Sequence, residues 1–341
     1  MSLTSFAKSP LMIERQGQFP VGGTMIERPG TFDPDTFVSW TSPVQDGQTY
    51  RCDHAFARYQ IPVEAKKIPL LFVHGFGSDG VCWETTPDGR DGFATLLLRN
   101  GYSTYVLDLP GRGHASRTSA EVSIKPVADE EFWFDIWRMG IWPKWHDGIQ
   151  FPQDSLSVSN FFRQMVPDLS NHQLDVTALD DMASKIGDHI LVTHSAGGFP
   201  GWMSAMNNTT VKGVVALEPG GFVFPYGEVP APLPGLTGGL AGVPVQADKF
   251  IELTCKPIVI YFGDFIPESD ATTLGGSNWE VRLKMAREFV NTVNRHGGNA
   301  TLVELPKIGI KGNSHFLMQE LNNDAIAAHV AKWLNENGLS E

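Results

Sequence analysis

Ser195 stands in HILVTHSAGG (189–198), where an apolar β-rich run meets the small-residue stretch AGGFPGW. A serine at a sharp strand-to-helix turn is exposed as a nucleophile, and the amide after it, on Ala196, points where an oxyanion would form. Strand and helix approach closely at such a turn. Gly197 supplies the small residue this needs, while Thr193 occupies the place of the usual first glycine. Upstream, LLFVHGFG (70–77) ends in an HG turn of the kind that supplies a second oxyanion donor. The amide of Phe76 is the candidate, with Gly77 giving the backbone room. A base is expected late in the chain, and His315 in KGNSHFLMQE lies between the last strand-like run and the last helical one. The chemistry open to such a set is attack of a hydroxyl on an acyl carbon, with an imidazole taking the proton.

The acid that should orient the imidazole has two candidates. Asp264 in FGDF follows the run PIVIYFG, and Glu218 ends the run VVALEP. Both lie at the C-terminal end of a strand, the edge where an open α/β sheet collects its site residues. Position favours Asp264 slightly. Among the other histidines, His194 is expected to point to the far side of its strand, His74 belongs to the oxyanion loop, and His329 falls in mid-helix.

The elements that must position these residues are legible as apolar runs at 69–75, 103–109, 189–195, 211–219, 257–263 and 300–306. Amphipathic stretches at 91–100, 175–187, 279–295 and 324–336 lie between them. Such alternation predicts an α/β fold, with a mostly parallel central sheet flanked by helices. Short alternating segments at 12–60 predict an N-terminal antiparallel strand region. Two stretches interrupt the pattern. Residues 115–173, rich in Phe and Trp, are expected to form a cap, and the Pro/Gly-rich residues 219–247 a loop beside it.

The 341 residues are 42% hydrophobic and 19% charged, which excludes intrinsic disorder. A net charge of −12 with no basic stripe argues against nucleic acid as a partner. No apolar run is long enough for a membrane helix, and no signal peptide is visible at the start. Three widely spaced cysteines fit reduced thiols. Together these predict a cytoplasmic protein. The ten histidines show no HxxxH or HxH pair, so no metal is expected.

WETTPDGR (83–90), GYSTYVLD (101–108) with GRG (111–113), THSAG (193–197), LEP (217–219), YFGD (261–264) and GNSHFLMQ (312–319) together resemble one group, from about residue 12 to 335. This group is the bacterial and fungal α/β-hydrolase esterases typified by Alcaligenes esterase 713. The resemblance implies an α/β-hydrolase fold over 1–341 and a Ser–His–Glu triad. It makes Glu218 the acid beside Ser195 and His315, with Asp264 near the site in another role. It implies a serine esterase without a cofactor, acting through an acyl-serine on a small to medium, largely apolar ester, in a family that is often dimeric. Lactone or C–C bond hydrolysis by the same triad is the alternative within enzymes. A ligand-binding protein on the same scaffold is the alternative outside them. Family members can carry adjacent cysteines in the oxyanion loop, where this chain has Phe76–Gly77, so no vicinal disulfide can form. In WETTPDGR, Asp88 and Arg90 are expected to pin the loop with Trp83 packed beneath. Gly77, Trp83, Trp137, Trp142 and Phe316 are the candidates to line the substrate.

Overall fold

The computed structural model describes residues 10–36, 39–40, 46–169 and 171–341. Eight strands form the central sheet: β1 (Ile13–Val21), β2 (Ala55–Pro62), β3 (Leu70–Val73), β4 (Thr104–Asp108), β5 (His189–His194), β6 (Val211–Leu217), β7 (Pro257–Phe262) and β8 (Asn299–Glu304). They lie in the order β1-β2-β4-β3-β5-β6-β7-β8. From β4 to β8 every neighbouring pair is parallel, whereas β1–β2 and β2–β4 are antiparallel. Each of the six apolar runs read from the sequence is a strand of this sheet. Arg58 on β2 donates a bidentate pair of bonds of 3.0 and 3.1 Å to Asp108 at the end of β4, which joins the antiparallel edge to the parallel part.

Successive side chains on a strand face opposite sides, so a strand buried on both faces reads as a continuous apolar run. Leu70 and Phe72 of β3, with Ile190 and Val192 of β5, face one core, where they meet α1 (Phe93–Arg99) and α8 (Asn323–Glu336). Leu71, Val73 and Leu191 face the other. There they meet α4 (His172–Ile186), α5 (Gly198–Asn207) and α7 (Leu274–Arg295). Local chemistry sets the helix starts. Asn171 Oδ1 accepts the Leu174 amide at the head of α4, and Thr273 Oγ1 accepts the Gly276 amide at the head of α7.

The insertion 115–173 contains α2 (Glu130–Ile136), a hairpin pairing Gly140–Ile141 with Lys144–Trp145, and α3 (Ser155–Arg163). Phe134, Trp137, Phe151 and Phe161 are buried in the core that α8 shares, while Phe132 and Trp142 stay exposed. α2 docks on α7. Trp279 Nε1 donates to the Ile136 carbonyl at 2.7 Å, and a Cβ on Gly275 would sit 1.9 Å from the Asp135 carbonyl oxygen. Within 219–247 a short parallel pair, Val223–Pro225 with Val243–Val245, packs beside α6 (Ala247–Thr254). Cys52, Cys82 and Cys255 are free thiols. Among the described residues no helix is long and apolar enough to cross a membrane.

Candidate active site

The residues nominated from the sequence follow the C-terminal ends of adjacent strands. Ser195 begins the tight turn between β5 and α5 with φ +52°, a conformation a side chain rarely adopts. Only small neighbours allow it. A Cβ on Gly197 would lie 2.3 Å from the His74 carbonyl oxygen, and one on Gly75 would lie 2.6 Å from Ser195 Cβ. The displaced glycine of the motif is found elsewhere. Thr193 points its methyl group at Gly201 on α5, where a Cβ would come within 2.7 Å of it. The close approach of strand and helix is therefore kept by a small residue on the helix rather than on the strand.

His74 secures the loop after β3. Its Nε2 accepts the Leu109 amide at 3.1 Å, which places the proton on Nδ1 to donate to the Gly75 carbonyl at 3.0 Å. Burial pulls this imidazole down to about 4, so it stays neutral in that arrangement. Phe76 and Ala196 both border the cavity that holds Ser195. Neither of their amides donates a hydrogen bond to another described residue.

The carboxylate beside His315 is that of Glu218. With φ +45° directly after β6, its fully buried side chain accepts His315 Nδ1–H at 2.7 Å. Its two oxygens also accept the Gly263 amide at 2.7 Å and both Nη groups of Arg138, at 3.0 and 2.5 Å. Arg138 is itself buried, and its Nε donates to the Asp264 carbonyl at 2.9 Å. Asp264 lies one layer away. Its carboxylate accepts the amides of Phe265 and Gly312, at 2.8 and 2.9 Å, and so pins the loop that carries His315. His315 thus contacts Glu218, the residue the family resemblance implies, and not Asp264, which position alone slightly favoured.

His315 is fixed from every side. Its amide donates to the Trp137 carbonyl and its carbonyl accepts His194 Nε2, each at 3.0 Å. Its ring lies 4.0 Å from that of Trp279, centroid to centroid. His194 packs its ring between Trp83 and Phe316 and stands 4.4 Å from the ring of His315. Buried Glu320 accepts the Ser314 amide and the Asn313 side chain, both at 2.5 Å, and burial pushes its carboxyl up to about 7. Burial, followed by the positive charges of Arg138 and Arg282, holds the His315 imidazole well below its ordinary 6.5. Among the described residues no hydrogen bond joins Ser195 Oγ to His315. Such bonds commonly tighten only around a substrate.

Ser195 and His315 open on one cavity of about 510 Å³, within the range of small-molecule sites. Its walls come from α2 and its C-cap (Phe132, Trp133, Ile136, Trp137), from residues 237–243, and from Asn278, Trp279 and Arg282 of α7. Of the five residues expected along the substrate, Trp137 borders this cavity. The other four need correction. Trp83 is fully buried among Phe72, Phe93 and His194, and Phe316 is buried behind Trp137 and His315. Trp142 is half exposed, packed against Phe134 and bordering a separate surface pocket. Gly77, at φ +65°, shapes the turn and would bring a Cβ no closer than 3.7 Å to Met165.

In the WETTPDGR motif Arg90 pairs with Asp88 of its own loop and also reaches beyond it. Arg90 binds Asp88 at 2.6 Å and donates to the Glu320 carbonyl at 3.0 Å and to Asn323 Oδ1 at 3.1 Å. It thereby clamps the segment just after His315. Sequence reading missed Arg138 and the α7 residues. The signal for Arg138 is a lone cation inside the aromatic run FWFDIWRMGIW, because a buried guanidinium requires a partner. Asn278, Trp279 and Arg282 are spaced to share one helix face.

The comparisons with known proteins agree with this architecture. A solved bacterial esterase is 31% identical and superimposes with a TM-score of 0.76, covering 97% of this chain and 98% of its own. A probable secreted lipase, phiG, from Fungal sp. (strain ATCC 74256), is 27% identical, covering 79% of this chain and 82% of the relative. The family model described as "Alpha/beta hydrolase family" matches residues 70–296, more than half of the chain. With the eight-strand order and the strained serine turn already in place, the chain belongs to the alpha/beta hydrolase family.

Proposed function

We propose that this protein is a serine carboxylic-ester hydrolase that works through an acyl-serine. The observation that carries the reading is the 2.7 Å contact of Glu218 with His315, on a ring that shares its cavity with Ser195. Ser195 Oγ attacks the ester carbonyl while His315 takes its proton. The oxyanion is held by the amides of Phe76 and Ala196, each such donor being worth about 3–4 kcal/mol. The C–O bond breaks as His315 returns the proton to the departing alcohol. A water activated by the same imidazole then hydrolyses the acyl-serine. Glu218 keeps the proton of neutral His315 on Nδ1 and stabilises the imidazolium. Residues 115–173 serve as a cap, with 219–247 beside it, over a largely apolar substrate. The esterase and lipase names of the two relatives support the assignment.

A fluorophosphonate probe followed by peptide mass spectrometry is expected to modify Ser195, and p-nitrophenyl esters of short to medium acyl length are expected to turn over. Labelling without turnover of any open-chain ester would move the substrate to lactones or C–C bonds. No labelling at all would favour a ligand-binding role.

The pH profile is a second check. His315 acts as a base only when neutral, and its environment lowers its affinity for a proton. The acid limb of kcat/KM, measured between about pH 4 and 8, is therefore expected to fall below pH 6.5, the ordinary imidazole value. A limb centred above that value would contradict the role given to Arg138 and Arg282.

A further inference from the structure

Two guanidiniums flank Trp279, and they are treated differently. Arg138 lies 5.1 Å from the ring centroid and is neutralised by Glu218. Arg282 lies 5.4 Å from it and borders the catalytic cavity. Its only hydrogen bonds among the described residues run from Nη1 to Asn278, at 2.7 Å to the carbonyl and 2.6 Å to Oδ1. Thr237 Oγ1 donates to the same Oδ1 at 3.1 Å, which braces the arrangement from the 219–247 loop. No Asp or Glu among the described residues pairs with Arg282, and burial alone pulls it down to about 10. Among the described residues Nε and Nη2, the edge that grips a carboxylate in a two-pronged fashion, have no hydrogen-bond partner.

A cation with no countercharge among the described residues, held at the wall of a largely apolar cavity with one end of its fork braced and the other open, is suited to pair with an anion. We propose that Arg282 is a specificity residue that binds a carboxylate on the substrate, so that the preferred esters are those of acids bearing a second, ionised carboxyl group. A single planar fork suits one carboxylate, and the aromatic walls fit the apolar chain between that group and the ester. The proposal rests on the esterase reading for its substrate class, though not for the existence of the anion site.

The kinetic test compares p-nitrophenyl esters of ω-carboxy acids with neutral isosteres of equal length, in the wild type, Arg282→Met and Arg282→Lys. A charge-assisted pair predicts a preference for the carboxylate in kcat/KM of about 10- to 100-fold in the wild type. That ratio is expected to collapse towards one in Arg282→Met and to survive in part in Arg282→Lys. Because the readout is a ratio within each protein, general damage to the fold cancels. The binding test titrates an ω-carboxy methyl ketone against its carboxamide by calorimetry, with no turnover required. An Arg282-dependent preference for the anion in a protein inert on all esters would uphold the anion site and sink the esterase reading. Equal handling of charged and neutral partners by an active wild type would overturn the anion site and leave the esterase reading intact.

Discussion

Ser195→Ala is expected to lower kcat on a p-nitrophenyl ester by about a million-fold, the scale of removing the nucleophile from a triad that acts as a unit. The substitution is unusually clean at this position. Alanine keeps the Cβ that Gly75 already accommodates, and no hydrogen bond of Ser195 Oγ with another described residue is lost. The backbone strain at φ +52° is the same for either residue. The melting temperature should therefore stay close to that of the wild type while turnover vanishes. A residual rate of about 10³–10⁴ over water is expected from the Phe76 and Ala196 amides and substrate binding. A variant within tenfold of the wild type would remove Ser195 from the mechanism.

The parts of the site readable from sequence are those whose signal is local. Ser195 announces itself because the apolar run, the turn and the small residues that a close strand–helix approach demands are contiguous. His315 is readable because chain order places it after the last strand. The acid is not readable from position, since Glu218 and Asp264 each follow a strand that borders the other. What separates them is backbone direction. Glu218 takes φ +45° and aims its carboxylate at His315, whereas Asp264 is followed by Phe265 at φ +60° and folds back onto nearby amides. Neither conformation has a residue-type signature, because both positions carry side chains where glycine would be the usual marker. The insertion 115–173 shows the other limit. Its aromatic composition foretells burial, but which rings reach the cavity depends on how α2 docks on α7, and that contact turns on a glycine–carbonyl approach at Gly275. Residue type alone suggests Trp83 and Trp142 as substrate contacts, yet one lies beneath the sheet-to-loop junction and the other on the surface.

Glu218→Gln is expected to cost about 10⁴-fold in kcat, against less than about tenfold for Asp264→Asn. The difference lies in the donors each carboxylate serves. Glu218 receives four N–H groups, from His315, Gly263 and twice from Arg138. A glutamine offers one accepting oxygen, so its amide hydrogens must face at least one of those donors. If that donor is His315, the ring flips to the other tautomer and Nε2 can no longer accept the serine proton. In either orientation the amide also meets an Nη group of Arg138, and the buried guanidinium loses its countercharge, at about 3–5 kcal/mol of stability. Either way the base is lost or misplaced. Asp264, by contrast, accepts two amides and touches no reacting group, so an asparagine in its place keeps one bond and forfeits about 1 kcal/mol for the other. Turnover measured beside the melting temperature separates the two effects, and Glu218→Asp, which retains the charge, serves where glutamine fails to fold. Should Asp264→Asn prove the crippling change while Glu218→Gln stays within tenfold of the wild type, the acid of this site has been misassigned and the Arg138 clamp serves the fold rather than the chemistry.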